Sequence, residues 1–317
     1  MLLWLARRVV SSLLVLAAVA VVAFLLTFVA PADPARSIAG PNASAEAVER
    51  IRASLGLDRP ALEQLASWFG GLLRGDLGTS YQLGGVRVLD LILARLLPTV
   101  QLALAGLAVA LVIGVPLGVR AATRPGGMLD RVSGILGSAL LAVPGFLLGI
   151  LVLYVLAYQW RLFPLSTQGY DPLDLRALVL PALTLGLVSV PFYLRVARAS
   201  TLDELARDYV RTARAKGLDE RRVVWRHAFR NALLPVVTLA GLDLGFSLGG
   251  VVVIESVFGW PGIGSQAVRA ISQEDLPVLM GTLLFGTLCI VVASLAVDVV
   301  HVLLDPRIAL DASAEEG

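Results

Sequence analysis

Residues 208–235 read DYVRTARAKGLDERRVVWRHAFRNALLP, and they decide how the rest of the chain is understood. Between Asp203 and Arg230, 13 of 28 residues are Asp, Glu, Lys or Arg, against 16% over all 317 residues. Around this block the chain is oily, with 57% hydrophobic residues and a mean hydropathy of +0.82. Those values lie far outside the soluble globular range. A dense charged block inside so apolar a chain marks an excursion into water between membrane segments.

Working outward, six apolar runs suffice to cross a bilayer, which needs about 20 residues per helix. They lie at roughly 9–30, 99–119, 132–158, 178–196, 233–256 and 279–304. The fourth is the shortest and carries Pro181 and Pro191. Arg7 and Arg8 before the first run resemble a secretory signal, but 22 uncharged residues from Val9 to Ala30 exceed a signal's apolar core. The reading is an all-α polytopic membrane protein, one transmembrane unit over 1–317. It has a long external loop after the first helix and a charged helix–turn–helix loop at about 200–231. A lone Cys289 excludes an intrachain disulfide, and the net charge of +2 decides nothing.

The arginines orient the chain. Arg7 and Arg8 lie at the N-terminus, Arg120, Arg124 and Arg131 follow the second run, and ten basic residues fall between Arg195 and Arg230. The loops after runs three and five hold only Arg161 with Arg176, and Arg269. Both termini, including the tail 305–317, are therefore expected in the cytoplasm, and 31–98 outside. Within 31–98, Ala47, Ile51 and Leu55, then Leu62, Leu65, Trp68 and Phe69, recur at helical spacing. They fit either a small cap on the membrane face or a docking surface for a soluble partner.

In the charged loop, Leu202, Leu205, Ala206, Tyr209, Val210 and Ala213 also recur at helical spacing. Gly217 breaks the pattern as a C-terminal glycine does. Asp219 is placed to cap a second helix over about 220–231, with Glu220 in its first turn, and Pro235 closes the loop at the next span. An apolar stripe of Leu205, Tyr209, Val223 and Trp225 within a mixed-charge rim reads as a protein-docking element. Nucleic acid is a poor match, because acids interleave with the bases and no aromatic array forms.

With these residues in view, YVRTARAKGLDERRVVWRHAFRNALLPVVT resembles the coupling loop of membrane-spanning subunits of ABC-type importers, in the dipeptide, oligopeptide and nickel branch. GLLRGDLGTSY (71–81), VVVIESVFGWPGIG (251–264) and LDPRI (304–308) agree in the same order, and the long first external loop is similar to the B-type permease. Against the importer pattern Glu-Ala-Ala, three residues, Gly, only Ala213 and Gly217 match, so no role for that glutamate carries over. The resemblance implies a bacterial inner-membrane permease for peptides, nickel chelates or glutathione. Its implied partners are a C-type permease in a heterodimer, an extracytoplasmic binding protein and cytoplasmic ATPase subunits. It also implies ATPase coupling through Arg211, Ala213, Gly217, Leu218, Asp219 and Glu220. No G-x-x-x-x-G-K-[ST] occurs, so no cofactor is expected in this chain, and ATP with Mg belongs to the ATPase partner.

Ionisable residues within the runs are functional candidates by default. Asp243 lies mid-run, Glu255 near the outer end of that run, Asp298 and His301 near the inner end of the last. Gly241, Gly245 and Gly249 form a small-residue stripe, and Asp243 points about 160° away from it. That leaves Asp243 either a structural partner, such as an Arg on another helix, or the translocation path. An intramembrane aspartyl hydrolase would need two carboxylates converging on one bond. Asp243 and Glu255 lie 12 residues apart, about 18 Å along one helix. Asp243 with Asp298 stays geometrically possible, with no catalytic signature beside either, and no H-E-x-x-H occurs. No metal site is expected. A passive channel is the remaining alternative, but it would have no use for an ATPase-docking loop.

Overall fold

Long apolar stretches punctuated by Gly, Pro and charged turns leave the backbone only one way to satisfy itself in lipid, by helices closed on their own hydrogen bonds. In a computed structural model describing residues 2–29, 33–40, 42–165 and 170–304, the chain is helical throughout, with one isolated bridge, Thr79 to Arg87, among the described residues. The expected tail at 305–317, and most of 304–308, lie outside the described residues.

Five helices are long and apolar enough to cross a membrane: α1 (Leu2–Val29), α5 (Val88–Thr123), α8 (Leu175–Leu205), α11 (Phe229–Leu248) and α14 (Leu276–Leu304). A sixth span exists if α6 (Met128–Ala142) and α7 (Gly145–Val152) count as one. The straight run expected at 132–158 is thus corrected to two helices bent by 102°. Pro144 forces the break, since the residue before a proline is driven out of the α region, and Val143 is extended at φ −87°, ψ 121°. A π-helical turn, Leu153–Gln159, finishes this arm.

Two further expectations give way. The fourth span is not short, because α8 runs 31 residues through both of its prolines. The fifth does not reach 256. It ends at Leu248, where Gly250 at φ +110° turns the chain into the short α12 (Val252–Phe258). Asp243 and Glu255 therefore do not share one helix.

Small residues set the packing. Gly106, Ala110, Gly114 and Gly118 recur every four residues down α5, and α8 lies against them. A Cβ at Gly118 would stand 2.4 Å from the Leu194 carbonyl oxygen, and one at Gly114 2.9 Å from that of Val190. Close approach of this kind replaces the hydrophobic drive that lipid cannot supply. The stripe on α11 does the same against α14: a Cβ at Gly245 would meet Ala293 at 2.3 Å. Arg198 of α8 grips Asp130 of α6 through two bonds of 2.5 and 2.8 Å, and Arg8 of α1 pairs with Asp298 of α14.

Before α5, residues 33–87 carry α2 (Pro34–Ala39), α3 (Ala45–Ser54) and α4 (Ala61–Leu72). Asp33 and Ser44 cap α2 and α3 through their side chains. Helices stand where the spacing puts them, yet packing is thin: α4 buries no residue fully, and Leu62 and Leu73 face outward. Its anchor is Trp68, whose ring lies 5.8 Å from Phe24 of α1.

Candidate functional site

The charged loop folds into something simpler than two hanging helices. Helix α8 descends to Leu205, α9 (Asp208–Ala215) follows, and the chain turns at Gly217. From Glu220 it stays helical through α10 (Glu220–Arg222), a π-helical turn (Val223–Ala228) and α11. The expected separate helix at 220–231 is therefore the foot of the fifth span, and Pro235 lies inside α11 rather than ending a loop. The π turn gives this helix looser backbone bonding where it leaves the membrane, a feature often found at functional sites.

Each candidate residue in this element has a definite place. Ala213, with Val210, is buried against Val223 and Ala228, and Leu205 and Leu218 close the edges of that cluster. Of the apolar stripe, Leu205 and Val223 pack within the loop and Trp225 packs against the α5–α8 cluster, so the outer face left for a partner is polar. Only Tyr209 keeps an exposed flank, donating to Glu204 at 2.5 Å and accepting from the Asn231 amide at 3.0 Å. Burial and the Glu204 carboxylate push its hydroxyl above the usual phenol range.

Gly217 adopts φ +74°, a left-handed turn with nothing within 4 Å of a Cβ. Backbone conformation, not space, is what calls for glycine there. Asp219 caps the following helix by accepting from the Arg221 amide at 3.1 Å. Glu220 is clasped across the turn by Arg214 at 2.6 and 3.1 Å. Arg211 stands outward beside Asp208 at 3.5 Å, both among the most exposed side chains of the element. The turn is thus a short wedge with a polar outer face, joined through one helix to the middle of the membrane.

That helix carries Asp243. Its glycine face packs on α14, and the carboxylate points the other way, toward α8. Tyr193 donates to it at 3.0 Å and the Ser189 side chain bonds it as well. No cation pairs with it among the described residues, so the Arg partner weighed from sequence is absent. The carboxylate lines a recess of about 330 Å³ whose rim includes Phe192 and Phe246. A larger groove of about 570 Å³ between α5, α11 and α14 is lined by aliphatic residues, alanines, Gly241 and Cys289. It has no group that could orient a charged cargo.

On the opposite face two carboxylates are buried. Glu255 of α12 is 0% exposed. It accepts from the Ser265 amide at 2.7 Å and the Thr99 hydroxyl at 3.1 Å, and the Gly264 amide also bonds it. Thr99 in turn accepts from the Ile263 amide at 2.9 Å. Together they satisfy the orphan N–H groups that begin α13 (Ile263–Ser272). Gly262 is obligatory, because a Cβ there would lie 2.1 Å from the carboxylate. Asp275 accepts from the Ser80 hydroxyl and the amides of Tyr81 and Gln82, pinning GTSYQ to the start of α14. Sequence reading set Glu255 near an interface and passed over Asp275. The signal for Glu255 was its neighbour GWPGIG, a backbone run open enough to wrap a carboxylate.

Comparison with known proteins follows this geometry. Residues 114–310 match the family described as binding-protein-dependent transport system inner membrane component, and residues 1–103 match its N-terminal counterpart. A putative peptide transport system permease protein of Brucella abortus is 41% identical over 313 residues, covering 96% of this chain and 98% of that protein. A probable peptide ABC transporter permease protein of Sinorhizobium fredii is 39% identical over 307 residues, 95% and 97% of the two chains. The glutathione transport system permease protein of Escherichia coli is 38% identical over 302 residues, 95% and 97%.

Proposed function

We propose that this chain, which belongs to the family of inner membrane components of binding-protein-dependent transport systems, forms half of an ATP-driven import path for small peptides. It is a transport subunit rather than an enzyme, and such systems work with a binding protein and an ATPase. The peptide class is supported by relatives described as carrying peptides or glutathione, itself a tripeptide. A C-type permease completes the heterodimer, with both termini and α9 in the cytoplasm and 31–98 outside. The whole chain acts as one transmembrane unit.

One observation carries the mechanism. Asp243 is an intramembrane carboxylate held by two hydroxyl-bearing side chains and, among the described residues, by no cation, in a recess with room beside it. A centred Asp facing lipid costs about 3 kcal/mol, so its face belongs to the path and meets the second permease or the cargo. A peptide's ammonium group supplies the missing positive charge while the aromatic rim receives its apolar parts. Movement of the ATPase is received at Arg211, Ala213, Gly217, Leu218, Asp219 and Glu220. It passes up the continuous helix to Asp243, exposing the path alternately to the two sides.

Asp243→Asn keeps the shape and removes the charge. In reconstituted vesicles the variant complex should assemble, and uptake of peptides with a free amino terminus should fall about tenfold more than uptake of N-acetylated peptides, as expected for loss of a charged hydrogen bond worth about 1.5 kcal/mol. Equal loss for both cargoes, or unchanged uptake, refutes a path role.

A further inference from the structure

On the face that carries α9, five arginines have acidic partners: Arg8 with Asp298, Arg198 with Asp130, Arg207 with Glu204, Arg211 with Asp208, Arg214 with Glu220. Four do not. Arg120 and Arg124 at the end of α5, and Arg221 and Arg222 at the foot of α11, line one groove of about 750 Å³ and have no ion-pair partner among the described residues. The two acids on its wall are already engaged. Glu220 is clasped by Arg214, and Asp219 caps the helix. The groove is therefore strongly positive where it is open, and its four guanidinium forks suit a phosphate's paired oxygens.

Its position selects among phosphates. The groove lies at the ends of two helices long and apolar enough to cross a membrane, the end of α5 at Thr123 and the foot of α11 at Glu220. Its floor is Val224 and the half-buried Trp225, stacked edge-on with Phe229 at 5.2 Å. An indole at that level is an interfacial anchor. Basic pockets between membrane helices at this depth take lipid head groups, and each arginine near an anionic surface adds about 1 kcal/mol. We propose that this groove is a binding site for the phosphate of an anionic phospholipid, wedged between the end of α5 and the turn at Gly217. A bound head group would neutralise the charge beside the turn and brace the foot of α11 against α5. Which leaflet supplies the lipid rests on the orientation given above. The site itself does not.

The full-length chain with its partner permease, in nanodiscs of phosphatidylglycerol and phosphatidylcholine, tests this independently of orientation because both faces are open. After detergent release, native mass spectrometry should show phosphatidylglycerol retained over phosphatidylcholine. Arg221→Gln with Arg222→Gln should cut that retention at least about tenfold, given roughly fivefold per arginine. Arg120→Gln with Arg124→Gln, on the other wall, should act alike, and Arg176→Gln with Arg269→Gln on the opposite face should not. All the substituted side chains in the groove are exposed, so folding is not at stake. Retention unchanged in both groove variants overturns the site, and so does equal retention of the neutral lipid. Displacement by millimolar inorganic phosphate overturns the lipid assignment. Loss of the ATPase subunit with lipid retention intact assigns the groove to the protein dock and overturns it as well.

Discussion

The two membrane faces are held together by different physics. At the face of α12 and α13, buried carboxylates are clamped by backbone amides: Glu255 is 0% exposed and Asp275 2%. At the face of α9, the wedge rests on a small apolar cluster, one left-handed glycine and an exposed Arg214–Glu220 clasp. A buried acceptor with several donors tolerates no displacement, since each unsatisfied group costs about 1–3 kcal/mol. An exposed clasp is worth about 0–1 kcal/mol and can open and reform. One end is a fixed anchor, and the other can be pushed.

The sharpest break in this comparison is topological and all-or-none. In a background lacking Cys289, Ser44→Cys should react with an impermeant thiol reagent in whole cells, and Lys216→Cys should react only after permeabilisation. The reverse pattern exchanges the two faces and with them the assignment of the wedge.

Next in size is the anchor. Glu255→Ala leaves the Gly264 and Ser265 amides and the Thr99 hydroxyl without their carboxylate, and should destabilise the complex by about 3 kcal/mol or more. Glu255→Gln keeps one acceptor oxygen and should cost less than half of that. Melting temperatures in detergent order the three proteins, and equal values for Ala and wild type would show that the clamp does not hold this end.

The smallest effect belongs to the clasp. Arg214→Gln should change stability by less than about 1 kcal/mol, since both partners are substantially exposed. Any effect should vanish as salt is raised. A salt-independent loss of several kcal/mol would mean that the wedge is as rigid as the anchor.

How far the sequence alone reaches follows the same division. Spans were legible because apolar length is a one-dimensional property, and the glycine stripe on α11 correctly turned Asp243 away from α14. Gly217 and Asp219 were legible because caps and left-handed turns are local. The break at Pro144 was missed because hydropathy runs straight through it. The fusion of 220–231 with the fifth span was missed because charged residues look like loop, while Pro235 in fact sits within a continuing helix. Glu255 and Asp275 were beyond reach for another reason. Their partners Thr99 and Ser80 lie 156 and 195 residues away.

The central claim is that the wedge at Gly217 transmits the ATPase's work through a continuous helix to the path. Gly217→Val tests it most directly: at φ +74° a β-branched residue is strained by at least about 1–2 kcal/mol, with no neighbour to clash against. The complex should therefore assemble normally while the turn is displaced. In proteoliposomes with the binding protein and ATP, the expected result is intact assembly with loss of substrate-stimulated ATP hydrolysis and of peptide uptake. Normal stimulation and normal uptake in an assembled Gly217→Val complex would contradict the account.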